Sequence, residues 1–114
     1  MIAIAKQEIF SRNLNVAKKY PVNLTQQAQK DLEQIFDYIA GDSVNNATNF
    51  ILQLEKKVYA LEDFPDRNPL IPENEFFGTD YRHLIYKKYR VVYRIAEKNV
   101  FVLRIFHGAK LLNL

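Results

Sequence analysis

The sequence has no cysteine and no tryptophan, a single methionine, three glycines, four prolines and two histidines. Without cysteine, disulfide frameworks, thiolate nucleophiles and cysteine-built zinc or iron–sulfur sites are excluded. The histidines, His83 and His107, would need a carboxylate cluster to hold zinc, and the sequence groups none around them. No metal and no cofactor are therefore expected. No apolar run approaches the roughly 20 residues of a membrane-spanning helix. The opening Met1-Ile2-Ala3-Ile4-Ala5-Lys6 meets a charge too soon for the core of a signal peptide. Repeats and low-complexity tracts are absent too. The expectation is a soluble, cytoplasmic protein.

What is present suits one folded domain. The 114 residues are 48% hydrophobic and 25% charged, which excludes a disordered chain, and seven Tyr with eight Phe can fill a core. Charge is segregated along the chain. Residues 1–24 carry four basic and one acidic residue, residues 25–80 four and eleven, residues 81–114 eight and one. The last third therefore suits an anionic partner, or an acidic helical layer lying against a basic sheet.

Hydrophobic periodicity orders the elements. Val22 and Leu24 alternate with polar neighbours as a short strand. Thr25 then caps a helix whose stripe is Ala28, Leu32, Ile35, Phe36 and Ile39. Gly41 is expected to end it in a left-handed turn, and Asp42 or Ser43 to cap a second helix with the stripe Ala47, Phe50, Ile51, Leu54, Val58 and Leu61. Pro65 closes that helix. So short a connection makes the two helices an antiparallel hairpin. Residues 66–79 read as a loop, after which the period falls from 3.6 to 2. Residues 81–86, 89–96 and 100–106 then form a three-stranded antiparallel meander. The predicted class is α+β: an edge strand, a helical hairpin over one sheet face, and the meander. Residues 1–19 are an N-terminal extension, and residues 20–114 the domain.

Facing decides the site. A three-residue turn at Glu97-Lys98-Asn99, with Asn99 left-handed, pairs Ala96 with Val100 and places Arg94 opposite Val102. Val91, Tyr93, Ile95, Phe101, Leu103 and Ile105 then face the core. Arg90, Val92, Arg94, Arg104 and Phe106 share the other face. A two-residue turn at Lys87-Lys88 adds Tyr81, His83 and Ile85 to that second face; one more loop residue adds Arg82, Leu84 and Tyr86 instead.

Several fragments carry a family likeness: Ala28-x-x-Asp31-Leu32-x-x-Ile35-x-x-Tyr38-Ile39, Ala47-x-x-Phe50, Leu61-x-x-Phe64-Pro65, Tyr81-Arg82-x-Leu84, residues 89–94 (Tyr-Arg-Val-Val-Tyr-Arg) and residues 102–108 (Val-Leu-Arg-Ile-Phe-His-Gly). In this order the chain from about residue 20 to 112 resembles the RelE/ParE superfamily of toxins from bacterial type II toxin–antitoxin, or plasmid-stabilisation, systems. The resemblance implies growth inhibition and neutralisation by a cognate antitoxin whose C-terminal segment wraps the toxin. It also implies one of two targets. ParE-like members inhibit DNA gyrase, whereas RelE-like members cut mRNA on the ribosome without a metal. The Tyr-Ile-rich first helix, the long second helix and the His107-Gly108 ending look more ParE-like. A basic nucleic-acid-binding module without toxicity is the remaining alternative.

RNA cleavage needs cations on the phosphate, and arginine supplies a permanently charged planar fork. Arg90, Arg94 and Arg104 would provide it, with His83 as a base and Lys110 beside them. By resemblance, Arg90 matches a phosphate-contacting arginine of RelE-like enzymes. Lys110 stands where that branch usually has Arg, and Tyr81 and His83 fall near positions where it has lysines. For an antitoxin or target, the same face offers Arg90, Arg94 and Arg104 around an apolar floor of Val92 and Phe106. His107 is expected to bond backbone at its strand end. Tyr86, Tyr89 and Tyr93 serve as core filler or stacking surfaces, and Asp31 and Glu33 as solvated charges.

Overall fold

A computed structural model of the chain describes residues 19–110. The extension expected over residues 1–19 lies, except for Lys19, outside the described residues. The elements are β1 (Val22–Leu24), α1 (Gln26–Ala40), α2 (Val44–Tyr59), the one-turn α3 (Asn74–Phe77), β2 (Arg82–Tyr86), β3 (Tyr89–Ala96) and β4 (Asn99–His107). The sheet runs β1-β4-β3-β2, with β1 parallel to β4 and the other pairs antiparallel. The predicted α+β order is the observed one. Among the described residues no helix is long and apolar enough to cross a membrane.

The helix starts follow from their caps. The Thr25 hydroxyl accepts a bond from the Ala28 amide (3.1 Å) and donates to the Val102 carbonyl (2.9 Å), tying the entry of α1 to β4. Ser43 caps α2 by accepting from the Asn46 amide at 3.1 Å. Gly41 departs from expectation: at φ −57° it stays right-handed, so the hairpin turns without a left-handed residue. Both apolar stripes face one side of the sheet. Ala28, Leu32, Ile35, Leu54, Val58 and Leu61 pack there on Val91, Tyr93, Val100, Val102 and Ile105.

Two corrections concern β4. Its turn has two residues, not three: Ala96 pairs with Asn99, while Glu97 and Lys98 are left-handed at φ 52° and 63°. A bulge then follows, because Val92 pairs with Arg104 but Tyr93 with Val102, leaving Leu103 as the extra residue. The inward residues of β4 are therefore Val100, Val102 and Ile105, and Phe101 and Leu103 are not in the buried set. The Lys87-Lys88 turn has two residues, with Tyr86 opposite Tyr89, and this puts His83 opposite Val92 and Ile85 opposite Arg90 on the second face.

That second face is not open. Past a 3-10 turn at Pro65–Arg67, the chain runs along the outer edge of β2. There the His83 amide donates to the Pro69 carbonyl (3.2 Å) and the Ile71 amide to the Tyr81 carbonyl (3.0 Å). Ile71 and Tyr81 then close over Val92 and Phe106, forming a small second core. Val92 is wholly buried and Phe106 is 8% exposed, so the expected apolar floor is interior.

Candidate functional site

The three arginines share a sheet face by register, but two are held by carboxylates. Arg90 is 8% exposed. Its Nη1 and Nη2 donate to the two carboxylate oxygens of Glu73 at 2.8 and 2.9 Å, and its plane lies 5.3 Å from the centre of the Phe106 ring. The Nε donates to Nδ1 of His83 at 3.1 Å. Burial first, and then the neighbouring Arg90 charge, hold His83 below its ordinary pKa, with Glu73 partly opposing. The imidazole is thus kept neutral, with its Nδ1 lone pair engaged by Arg90. In this arrangement that nitrogen is not open to take a proton from a substrate.

Arg104 reaches round the side of β4 that β1 leaves uncovered. Its Nε donates to Asp31 at 2.9 Å and an Nη at 3.3 Å, while the Ile105 backbone amide donates to the same carboxylate at 2.8 Å. Asp31, expected to be solvated, is only 4% exposed. These donors replace the hydrogen bonds that burial takes away from the carboxylate. Arg94 stacks over Phe101 at 4.9 Å. The trio is therefore collected on one face without converging on one point.

An accessible cleft of about 560 Å³ opens between α1 and the end of β4. Tyr38 and Tyr89 line it with Asp31, Arg104, His107 and Lys110. The Gly108 amide donates to the Lys88 carbonyl (2.7 Å), drawing the Lys87-Lys88 turn to this end of the sheet. His107 Nδ1 accepts from the Ala109 amide at 3.1 Å, and its ring meets Tyr89 edge-on. Tyr86 and Tyr89 both pack on Phe50, and burial pushes the Tyr89 phenol upward in pKa. Tyr93 is core: its hydroxyl donates to the Pro65 carbonyl and accepts from Asn68 (3.0 Å), and burial raises its pKa.

Sequence reasoning missed the two anchoring carboxylates. Asp31 sits in the predicted helix on the same stripe as Ala28, Leu32 and Ile35 and within the first fragment that carries the family likeness, and those were its signals. Glu73 lies in a loop with no periodicity to place it. Among the described residues no three His, Asp or Glu side chains converge to hold a metal.

The fold recurs in structures of toxin–antitoxin systems. The chromosomal ParDE toxin–antitoxin system of P. aeruginosa matches with a TM-score of 0.64 at 18% identity, over 80% of this chain and 98% of that one. The toxin–antitoxin complex RelBE2 of Mycobacterium tuberculosis matches with a TM-score of 0.58 at 22% identity, over 78% and 98%. No match was found among curated proteins. The family model for the ParE toxin of the type II toxin–antitoxin system parDE matches residues 22–112, and the chain belongs to that family.

Proposed function

We propose that this toxin arrests growth by binding DNA gyrase in the cytoplasm, and that a cognate antitoxin holds it inactive by laying an acidic, apolar C-terminal segment in the cleft between α1 and β4. The carrying observation is the commitment of Arg90 to Glu73 and of Arg104 to Asp31. A phosphoryl-transfer site needs cations aimed at developing charge, and here two of the three candidates pair with the protein's own carboxylates, the buried Asp31 and the half-buried Glu73. The family match supports the same reading. The cleft suits an acidic segment because Lys110 and His107 border it beside Tyr38, and residues 81–114 carry eight basic residues against one acidic. Of the residues expected to meet an antitoxin, Arg104 and Phe106 line this cleft, whereas Arg90 and Val92 are buried under the loop.

A RelE-like ribosomal nuclease is the second reading, favoured by one feature: the cleft brings Tyr38 and Tyr89, rings able to stack on bases, beside Arg104, His107 and Lys110. Pulse-labelling of DNA and protein synthesis after induction separates the two. Arrested DNA synthesis with intact transcripts is the expected result, together with inhibition of supercoiling by purified gyrase. An immediate translation block with cleaved mRNA would overturn the gyrase reading.

A further inference from the structure

The loop that covers the second sheet face ends in an unusual display. Phe76 is 88% exposed and Phe77 43%, adjacent on α3. Single exposed apolar residues need no explanation, but an almost fully solvated Phe with apolar company marks an interaction surface. The segment is also firmly held. Glu73 anchors its start on buried Arg90. Asn74 donates through its side-chain amide to the Tyr81 carbonyl (2.9 Å), and its side-chain oxygen accepts from the Tyr81 amide (3.0 Å) and the Thr79 hydroxyl (2.7 Å). Gly78 ends the turn left-handed at φ 66°, its amide donating to the Asn74 carbonyl at 2.8 Å. A knob fixed in advance loses little conformational freedom on docking.

Charge selects the occupant. Residues 63–80 hold five acidic residues and one basic; with Glu73 paired to Arg90, four acidic residues remain, of which Glu75 and Asp80 are exposed on the same short segment as the phenylalanines. This is the opposite sign to the cleft beside Lys110. An acidic antitoxin segment is drawn to the cleft and repelled here; a basic surface is drawn here. We propose that Phe76 and Phe77 are the anchor for the toxin's protein target, inserting into an apolar pocket bordered by Lys or Arg. The proposal rests on the reading that the toxin acts by binding a protein.

The test compares the full chain with Phe76→Ser and Glu75→Lys, measuring growth arrest, inhibition of purified gyrase, antitoxin affinity, sedimentation and Tm. Phe76→Ser should weaken arrest and target inhibition by about tenfold or more, as loss of a central aromatic anchor does, with antitoxin affinity and Tm near wild type. Glu75→Lys should weaken both several-fold and reduce their sensitivity to salt. Undiminished arrest in both variants would overturn the proposal. So would a parallel loss of antitoxin affinity, a wild-type dimer that Phe76→Ser dissociates without loss of arrest, or a Tm fall showing that the chain covers its own patch. The two readings fail separately. Gyrase inhibited equally by wild type and Phe76→Ser sinks the anchor and leaves the gyrase reading. Gyrase untouched by wild type, with arrest still lost in Phe76→Ser, sinks the gyrase reading and leaves the anchor on another protein.

Discussion

Replacing Glu73 with Ala removes one half of an ion pair whose side chains are 9% exposed for Arg90 and 16% for Glu73. Two charge-assisted bonds of 2.8 and 2.9 Å are lost, and among the described residues the guanidinium keeps His83 and the Phe106 ring. Breaking a buried pair from one side costs about 3–5 kcal/mol, since the surviving charge stays desolvated without a partner. Glu73 retains some contact with water, which favours the lower end, about 3 kcal/mol. For a domain of this size that corresponds to a Tm lowered by roughly 12 °C, at about 4 °C per kcal/mol. Urea unfolding followed by circular dichroism reads the free energy directly. The control is Glu73→Leu combined with Arg90→Met, which removes both charges and should recover most of the loss. A single-variant cost below about 1 kcal/mol would refute the argument that this pair holds the loop on the sheet. A double variant as unstable as the single would refute the claim that the orphaned charge is the cause.

Other outcomes follow from the same contacts. His83 is held below its ordinary pKa of about 6.5 by burial and then by Arg90, so the unfolded chain binds its proton more readily than the folded one. That contribution to stability is complete above about pH 6.5 and is lost as pH falls through the folded value; His83→Gln should flatten the urea midpoint between pH 7 and 5, and an unchanged slope would refute the assignment. Tyr93→Phe should cost about 1–3 kcal/mol in urea unfolding, because the Pro65 carbonyl and the Asn68 amide both lose the hydroxyl. Glu97 and Lys98 both sit in left-handed backbone. Replacing them with Asn-Gly, which takes up that conformation with less strain, should raise stability by about 1 kcal/mol, and a lowered Tm would count against the two-residue turn.

The parts of the fold that were legible are those where one period excludes the other. Leu32, Ile35, Leu54 and Val58 fit only a helical stripe, and Thr25 and Ser43 carry cap chemistry at the right offsets. β4 offered no such discrimination. From Val100 to Phe106 every residue except Arg104 is apolar, so alternation could not distinguish Phe101 and Leu103 from Val100 and Val102 as the inward set. A turn one residue shorter than expected reversed the parity, and the bulge at Leu103 restored it, which is why Ile105 was placed correctly while Phe101 and Leu103 were not. The arginine face was right in membership and wrong in exposure. What covers it arrives from residues 65–79, whose course along β2 depends on backbone bonds from Ile71 and His83 that no local pattern announces.

β1 is only three residues long, and among the described residues no strand pairs with β4 beyond Val102 on that side. An uncovered strand edge is a template on which a foreign strand, including the same strand of another copy, can polymerise. Here the edge is blunted by side chains. Thr25 engages the carbonyls of Val102 and Leu103, and Asp31, clamped by Arg104, takes the Ile105 amide. Both plugs belong to the start of α1, which is synthesised before β4, whose edge they protect. A nascent toxin therefore carries its own safeguard against aggregation before the vulnerable strand exists, and that safeguard works only once α1 has docked.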